Sequence, residues 1–519
     1  MPALMIQGCG SDVGKSVLVA GLCRLLTNRG HRVRPFKPQN MSNNAAVTAE
    51  GGEIGRSTAL QAMACRAEPT ADMNPVLLKP QSDICAQLIV QGKRVGTLEA
   101  RAHGRDKRHL LQAAVESYRR LETECEWIVV EGAGSPAETN LRAHDIANMG
   151  FAQAVDLPVV LIGDIDRGHV IASLVGAHAV LDDGDRARIH GFIINKFRGD
   201  VSLFADGLTT IEQRTGWRAL GVVPWLPATL RLPPEDGMQL DRFAAKPRNG
   251  MRDAVTSCDS SRDSGTSGAD VRDAARWCAS PRAKIAVLHL PHIANFDDFD
   301  PLLQEPEVEL VLVKPGEPLP LDAQLVIIPG SKTTIADLEH LRAQGWDHDL
   351  HAYVRRGGRV LGICAGYQML GKTVRDPRGI EGTTPIATGL GLLDIETTMS
   401  ERKTLRQVSG ADTATAARID GYEMHLGLST GHATRHPMIR FADGSLDGAV
   451  SETGRVAGCH VHGLFNSSAY RAALLESLGA RSSGEDHLAS VDAALDEVAS
   501  ALESTLNIDA LMRIGAGRT

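Results

Sequence analysis

The chain has 519 residues, of which 43% are hydrophobic and 23% are charged, and its formal net charge is -8. This composition is typical of a folded globular protein rather than a disordered or membrane chain. The 55 basic residues are outnumbered by 63 acidic ones, so the charge balance argues against a nucleic-acid partner. Single hydrophobic cores stop growing at roughly 250–300 residues, so a chain of this length is expected to form two or three domains.

Signals for export or membrane insertion are not found in the sequence. The opening residues MPALMIQGCG lack the basic start and long apolar core of a signal peptide, and no stretch reaches the ~18 consecutive apolar residues of a membrane span. We therefore expect a cytoplasmic protein without membrane association. Nine cysteines are scattered without CxxC pairs or metal-type spacing, which predicts reduced thiols.

Strand-like apolar runs alternate with helical patterns through residues 1–235, which we interpret as the first domain. A helical pattern covers residues 15–26, and the strand candidates are residues 4–7, 33–36, 127–130, 159–162 and 189–194. Alternation of this kind predicts an α/β domain in which helices cover both faces of a parallel sheet.

A polar segment at residues 236–283 separates the two halves. It contains the run DSSRDSGTSGADVRD and buries too little apolar surface to offset its ordering entropy, which predicts a flexible linker. Residues 284–519 are predicted to form a second doubly wound parallel-sheet domain, and residues 486–506 have the apolar spacing of a helix that we expect to pack on it. The strand candidates of this half are residues 284–288, 309–313, 324–328 and 359–363.

A glycine-rich turn lies between the first predicted strand and the first predicted helix. It reads Gly8-Cys-Gly10-Ser-Asp-Val-Gly14-Lys15-Ser16. Backbone N–H groups and the helix dipole can hold phosphate at such a turn, with Lys15 near the β- and γ-phosphates and the Ser16 hydroxyl on magnesium. The alternative is a strand-to-helix turn with a surface lysine. Five residues rather than four separate Gly8 from Gly14, and this spacing resembles the P-loop of dethiobiotin synthetases.

Two further charged residues follow predicted strands of the same sheet. Glu131 ends the strand at residues 127–130, where a P-loop protein places a second magnesium ligand, although it could instead cap the following turn. Lys37 follows the strand at residues 33–36, where a fixed positive charge could meet a phosphate or a carboxylate.

Three more segments carry a resemblance to a known family: Lys37-Pro-Gln-Asn-Met-Ser-Asn-Asn44, Gly51-Gly-Glu-Ile-Gly-Arg56 and Asp164-Ile-Asp-Arg-Gly168. With the P-loop variant they resemble the cobyric acid synthase family of corrinoid amidases. The first segment separates that family from the related cobyrinate diamide synthases. Outside the polar segment the resemblance covers nearly the whole chain, but His169 stands where the family usually repeats glycine.

The resemblance implies a ligase of cobalamin biosynthesis that uses ATP, Mg²⁺ and glutamine. Its substrate would be adenosylcobyrinic acid a,c-diamide, whose b, d, e and g carboxylates become amides through acyl phosphates. The resemblance also implies that Glu53 or Asp164 joins Ser16 and Glu131 around magnesium, and that Asn195 binds adenine. The expected partners are small molecules (glutamine, ATP and a corrinoid), and a homo-oligomer is left open.

The second half carries a candidate nucleophile. Cys364 lies in the turn Gly362-Ile-Cys364-Ala365-Gly366 between a predicted strand and a predicted helix. Such a turn exposes the sulfur, and the helix N-terminus favours the thiolate. The segment resembles class I glutamine amidotransferases. The N–H groups of Ala365 and of Gly330, which follows another predicted strand, could form the oxyanion hole.

The candidate base lies in Gly458-Cys-His-Val-His462-Gly-Leu-Phe465. His460 and His462 share one face of a strand, so alternation does not choose between them. The family motif favours His462, which directly precedes a glycine; a structural histidine is the alternative. Class I enzymes commonly have glutamate two residues further on, but this chain has Leu464, so the local sequence predicts a Cys–His dyad.

Other interpretations remain open from the sequence. Gly421-Tyr-Glu423-Met-His425 also resembles the family, and these residues could shape a site near the corrinoid or the domain interface, or be an exposed pair on a strand. One alternative function is a related glutamine-dependent amidase, such as a cobyrinate a,c-diamide synthase or a cell-wall amidating enzyme. Another is a partitioning-type P-loop ATPase with an inactive amidotransferase module, although Cys364 and His462 argue against inactivity.

Overall fold

A computed structural model describes residues 1–82, 85–99, 107–235, 283–382 and 384–518. Contacts divide the chain into two compact units. The first comprises Met1–Glu235 together with Leu488–Thr519, and the second comprises Asp236–His487. The predicted linker, apart from its last residue, lies outside the described residues. Among the helices that the structure describes, none is long and apolar enough to cross a membrane.

The first unit contains twelve strands and seven helices before residue 236, in the parts of the chain that the structure describes. The strands are β1 (Ala3–Gly8), β2 (Val33–Phe36), β3 (Gln39–Met41), β4 (Ala45–Val47), β5 (Glu53–Gly55), β6 (Val76–Ser82), β7 (Cys85–Val90), β8 (Lys93–Glu99), β9 (Trp127–Glu131), β10 (Val159–Asp164), β11 (Ile189–Phe197) and β12 (Arg218–Pro224). The helices are α1 (Lys15–Asn28), α2 (Arg56–Ala64), α3 (Arg108–Glu122), α4 (Met149–Ala154), α5 (Val170–Val180), α6 (Asp183–Ala187) and α7 (Ala205–Thr215).

The main sheet of this unit has the order β12-β11-β10-β1-β9-β2, and all of its neighbouring strands are parallel. Its strands are apolar along their length because both faces are covered, as expected for a parallel sheet. One core lies under α1 and the other under α3, α5 and α7. This confirms the doubly wound α/β fold. The strand ends carrying the P-loop, Glu131 and Lys37 therefore meet at one edge of the sheet.

The C-terminal helices also belong to the first unit. Helix α13 (His487–Thr505) and helix α14 (Ile508–Gly515) bury their apolar faces in the same core as α1. A Cβ atom added at Gly21 of α1 would lie 2.6 Å from Leu502 Cδ1, so the two helices pack closely. The helical pattern at residues 486–506 was predicted correctly, but the expectation that it packs on the second domain is wrong.

The second unit contains thirteen described strands and five described helices. The strands are β13 (Ala283–Leu288), β14 (Val308–Val313), β15 (Leu325–Ile328), β16 (Arg359–Ile363), β17 (Thr373–Arg375), β18 (Ile386–Thr388), β19 (Glu396–Asp412), β20 (Arg418–Thr430), β21 (Ile439–Phe441), β22 (Leu446–Asp447), β23 (Ala449–Val450), β24 (Val456–Cys459) and β25 (Val461–His462). The helices are α8 (Asp300–Leu303), α9 (Thr334–Ala343), α10 (Trp346–Arg355), α11 (Ala365–Met369) and α12 (Ser468–Ser477).

Two sheets organise this unit. The first has the order β14-β13-β15-β16-β24-β23 and is parallel except at β23, which agrees with the predicted parallel-sheet domain. The second is built on the long antiparallel pair β19–β20, which the sequence analysis did not identify. The chain passes from the first sheet at Cys459 to the second at Val461, where β25 pairs with β20. His462 is thereby held beside both sheets.

Candidate active sites

The P-loop of the first unit folds as a tight turn between β1 and α1. Gly14 has φ +90°, and a Cβ atom there would lie 2.3 Å from Asn195 Nδ2, so this position requires glycine. Lys15 Nζ donates hydrogen bonds to the carbonyl oxygens of Gly10 (2.9 Å) and Gly134 (3.1 Å). The Lys15 side chain therefore folds back over the P-loop. Burial lowers the pKa of Lys15, while the neighbouring Glu131 acts in the opposite direction.

Ser16, Glu131 and Lys37 converge at the carboxyl edge of the sheet, as predicted. The Ser16 hydroxyl lies 2.7 Å from Glu131 Oε1, and Lys37 Nζ lies 2.8 Å from the same oxygen. Glu131 is fully buried, and Gln61 donates to its other oxygen. The side chains come from α1, β9 and the end of β2, which parallel strand order places side by side. Their arrangement combines oxygen donors for a hard cation with a fixed positive charge.

Glu235 joins this cluster and was not predicted. Its carboxylate lies 2.6 Å from the Ser16 hydroxyl and forms a salt bridge with Lys37. Burial opposes ionisation of Glu235, but Lys37 and Ser16 outweigh it and lower its pKa. Burial also opposes protonation of Lys37, but the two carboxylates raise its pKa well above the ordinary value. Both shifts favour the charged forms of Glu235 and Lys37.

The remaining predicted residues of this half occupy other positions. Asn195 Nδ2 donates to the Val13 carbonyl oxygen at 2.8 Å and so braces the P-loop backbone. Glu53 forms a buried ion pair with Lys79 at 2.7 Å. Asp164 forms a salt bridge with Lys196 at 2.9 Å.

His169, which departs from the family pattern, directly precedes α5 with φ 62°. This is the left-handed region in which glycine is favoured, so a glycine at this position would remove the backbone strain that histidine bears.

Cys364 occupies a strained turn between β16 and α11. Its φ of 53° lies in the left-handed region, which a non-glycine residue seldom adopts. A Cβ atom at Gly366 would lie 2.0 Å from the Ile328 carbonyl oxygen, so glycine is needed for the helix to approach β15 so closely. The Cys364 thiol lies 3.5 Å from the Met424 carbonyl oxygen. The strand, sharp turn and helix predicted from the sequence are all present.

His462 faces Cys364, and Asp298 orients it. The His462 ring and the Cys364 thiol interact, and each shifts the pKa of the other. His462 Nδ1 lies 2.7 Å from Asp298 Oδ2, and the Gly463 N–H donates to Asp298 Oδ1 at 2.7 Å. A carboxylate on Nδ1 fixes the ring and directs Nε2 at the thiol. The sequence predicted a dyad, whereas the structure brings together three residues.

The charges of these three residues reinforce one another. Burial opposes ionisation of Cys364, but His462 outweighs burial and lowers the thiol pKa. Burial likewise opposes protonation of His462, but Asp298 and Cys364 raise its pKa to about 10. Both shifts favour the thiolate–imidazolium pair over the neutral thiol and imidazole, and the thiolate is the reactive form of a cysteine nucleophile.

The predicted oxyanion donors lie next to the residues of this pair. Ala365 begins α11 directly after the nucleophile, and its backbone hydrogen bond also lowers the pKa of Cys364. A Cβ atom at Gly330 would lie 2.8 Å from His462 Cε1, which places Gly330 against the imidazole ring. Both positions therefore border the space that a substrate carbonyl at Cys364 would enter.

His460 has a different environment from His462. Its Nδ1 atom lies 2.7 Å from Asp447 Oδ1, and its ring stacks on His425 with centroids 3.9 Å apart. Glu423, His425 and His460 bring metal-compatible atoms within 4.8 Å of one another. Glu423 is 4% exposed, so the interpretation of Glu423 and His425 as an exposed pair is wrong.

Comparison with known families identifies both halves. Residues 4–238 match the model of the CobQ/CobB/MinD/ParA nucleotide binding domain, and residues 284–470 match that of the CobB/CobQ-like glutamine amidotransferase domain. Fold and sites together thus define a class of protein in which one chain joins a nucleotide-binding domain to a glutamine amidotransferase domain.

Similarity to individual proteins extends over the full length. The chain is 58% identical to a cobyric acid synthase from a Caulobacter species, covering 99% of both chains. It is 55% identical to the cobyric acid synthase of Rhizorhabdus wittichii, again over 99% of both, and 53% identical to that of Rhodobacter capsulatus, over 99% of this chain and 100% of the relative. The chain belongs to the cobyric acid synthase family. The resemblance drawn from its motifs is confirmed.

Proposed function

We propose that this protein amidates the b, d, e and g carboxylates of adenosylcobyrinic acid a,c-diamide, taking nitrogen from glutamine and energy from ATP. The product would be adenosylcobyric acid, an intermediate of cobalamin biosynthesis. The observation that supports this most directly is that one chain of this family brings together two groups of candidate catalytic residues. One site is the Cys364–His462–Asp298 arrangement, and the other is the P-loop cluster of Lys15, Ser16 and Glu131.

The first step is release of ammonia at Cys364. The thiolate attacks the side-chain amide carbon of glutamine, and the oxygen that becomes negative is stabilised by the N–H groups of Gly330 and Ala365. His462 then transfers a proton to the departing nitrogen, so ammonia leaves and a glutamyl thioester remains. Water, activated by the now neutral His462, hydrolyses the thioester to glutamate and restores the thiolate. Asp298 holds the imidazole ring throughout.

The second step is activation of a corrinoid carboxylate at the P-loop. The carboxylate oxygen attacks the γ-phosphorus of ATP, giving an acyl phosphate and ADP. Ammonia then attacks the acyl carbon and expels phosphate, which leaves the amide. Lys15 and Lys37 supply positive charge where negative charge collects on the phosphoryl oxygens and the acceptor carboxylate. Four such cycles, each using one ATP and one glutamine, complete one product molecule.

Mg²⁺ fits the oxygen donors at this site. The Ser16 hydroxyl and a Glu131 carboxylate oxygen lie 2.7 Å apart at the P-loop, and hydroxyl and carboxylate oxygens are the ligands that magnesium prefers. When bound, Mg²⁺ would neutralise charge on the β- and γ-phosphates of ATP. Ser16 and Glu131 would hold it, while Lys15 remains on the phosphates.

The function is tested by incubating the protein with ATP, amide-¹⁵N-labelled glutamine and candidate corrinoids. Mass spectrometry should show four labelled amides on the a,c-diamide, together with one ADP and one glutamate for each. Preference for cobyrinic acid, with only two amides added, would identify a diamide synthase instead. ATP turnover that is independent of any corrinoid, without glutamate release, would identify an ATPase with an inactive amidotransferase module.

Cys364→Ala separates the two chemistries. Loss of the nucleophile removes the thioester itself, so glutamine hydrolysis should be abolished. Ammonium at alkaline pH should still support amidation, because free ammonia reaches the acyl phosphate without Cys364. Glutamine-driven amidation by this variant would rule out Cys364 as the nucleophile.

A further inference from the structure

Glu235 stands at the centre of the P-loop cluster, although no motif of the sequence pointed to it. Its carboxylate contacts three side chains that come from separate elements. Oε2 lies 2.6 Å from the Ser16 hydroxyl, Oε1 lies 3.2 Å from the Ser57 hydroxyl, and Oε1 also accepts from Lys37. The three partners lie at the start of α1, in the first turn of α2 and just after β2.

Side-chain hydrogen bonds also fix the backbone around Glu235. The Ser42 hydroxyl donates to the Glu235 carbonyl oxygen at 2.8 Å, and Asn44 Nδ2 donates to the Pro234 carbonyl oxygen at 3.1 Å. Ser42 and Asn44 are both buried. They belong to the Lys37–Asn44 segment that distinguishes the cobyric acid synthase resemblance in the sequence. One role of that segment is therefore to fix Glu235 at the P-loop.

The Ser16 hydroxyl has too few protons for its two contacts with carboxylate oxygens. Ser16 Oγ lies 2.7 Å from a Glu131 oxygen and 2.6 Å from a Glu235 oxygen, and both carboxylates form salt bridges with Lys37. A serine hydroxyl has one proton, and an ionised carboxylate has none to donate. Only one of the two contacts can be a hydrogen bond, and the other brings lone pairs together. A small cation between the three oxygens removes that repulsion.

We propose that Glu235 is the third protein ligand, with Ser16 and Glu131, of the Mg²⁺ ion that accompanies ATP. This inference rests on the proposed function, in which the P-loop binds ATP with magnesium. Glu53 and Asp164, which the family resemblance implied for this role, form salt bridges with Lys79 and Lys196. A hydroxyl with two carboxylates is a donor set that suits Mg²⁺, which leaves the remaining octahedral positions to phosphate oxygens and water.

The test is Mn²⁺ binding, measured by electron paramagnetic resonance as loss of the free-ion signal, with a non-hydrolysable ATP analogue present. Glu235→Gln should weaken Mn²⁺ binding at least about 10-fold, since even residues that only support a metal ligand change affinity by ~10–100-fold. Glu235→Asp, which keeps a carboxylate, should recover part of that loss. Glu124→Gln, a change at an exposed glutamate of the same unit, should match the wild type.

Nucleotide binding without metal separates the outcomes, and thermal unfolding confirms that each variant is folded. Removing a negative charge beside the phosphates should leave metal-free binding of the analogue equal or tighter. Mn²⁺ affinity within twofold of wild type in Glu235→Gln would overturn the inference, and with tighter metal-free binding it would show instead that Glu235 only occupies the phosphate site. If the wild type binds the analogue under neither condition, the proposed function itself fails.

Discussion

Asp298→Asn is the substitution that most directly tests the amidotransferase site. It keeps the shape of the side chain but removes its charge 2.7 Å from His462 Nδ1, where both residues are at least 96% buried. Asp298 also accepts from the Gly463 N–H on its other oxygen. An asparagine has one acceptor oxygen and one donor group, so it can serve only one of these two N–H groups.

The size of the effect follows from these contacts. A hydrogen bond to a charged group contributes about 1.5–3 kcal/mol, and one pKa unit corresponds to about 1.36 kcal/mol. The pKa of His462, about 10 with Asp298 present, should therefore fall by roughly one to two units. A weaker imidazolium also stabilises the Cys364 thiolate less, so the thiol pKa rises. We expect kcat/KM for glutamine hydrolysis to fall about 10- to 100-fold.

The assay is glutamate release measured against pH in wild type, Asp298→Asn and Asp297→Asn, the last changing the neighbouring carboxylate. In the pH–rate profile of Asp298→Asn, the acid limb should move to higher pH because the Cys364 pKa rises. The alkaline limb should move to lower pH because the His462 pKa falls, so the pH range of activity becomes narrower. Ammonia-driven amidation should be unchanged, because it bypasses this site. Wild-type kcat/KM and an unshifted profile in folded Asp298→Asn would refute the orienting role of Asp298.

Four further predictions concern the rest of the chain. Lys15→Ala should abolish amidation with glutamine and with ammonia alike, and near-normal ammonia-driven activity would remove the phosphate-site assignment. In the wild type, glutamine hydrolysis should decline below the lowered pKa of Cys364, because the thiolate is protonated there. It should also decline above about pH 10, where His462 loses its proton. A pH–rate profile whose acid limb lies at the ordinary thiol pKa would contradict this prediction. Shortening residues 248–280 should leave both activities largely intact provided the remaining chain spans the domains, and a fall in unfolding temperature would show that the segment carries buried structure. Leu502→Ala should destabilise the first unit by ~2–5 kcal/mol in urea unfolding, because Leu502 is fully buried against α1; a loss under about 1 kcal/mol would argue against that packing.

The sequence predicted best the features that are encoded locally. A P-loop and a nucleophile elbow each need a strand, a sharp turn with glycine and a helix within about 15 residues, so Lys15, Ser16 and Cys364 could be recognised from their neighbours. Asp298 and Glu235 could not. Asp298 lies 164 residues before His462, and Glu235 lies 219 residues after Ser16. The available signal for Asp298 was the pair of carboxylates, Asp297 and Asp298, between Phe296 and Phe299, because an acid in an apolar setting needs a partner; this signal does not choose between the two.

Helix α13 shows the same division between local and distant information. Apolar residues at helical spacing predicted its existence and its apolar face, because that periodicity is local. The core against which this apolar face packs depends on the three-dimensional path of the chain. Because the helix follows the second domain in sequence, we expected it to pack on that domain. The structure places Val491, Leu495 and Leu502 in the core of the first unit instead, where Gly21 leaves room for Leu502. A helix adjacent in sequence to one domain can thus complete the other.

Both carboxylates that the sequence missed offset the charge of a buried cation, and this determines how their variants must be interpreted. Asp298 faces His462 and Glu235 faces Lys37, and each of these cationic side chains is 3% exposed. Leaving His462 charged without Asp298 typically costs about 3–5 kcal/mol, a large part of the ~5–15 kcal/mol that holds a domain folded, whereas Lys37 without Glu235 would keep its second partner, Glu131. An inactive alanine variant could therefore be inactive because it is partly unfolded. The amide variants keep the volume and one acceptor, so a loss of activity or metal binding at an unchanged unfolding midpoint can be assigned to the missing charge.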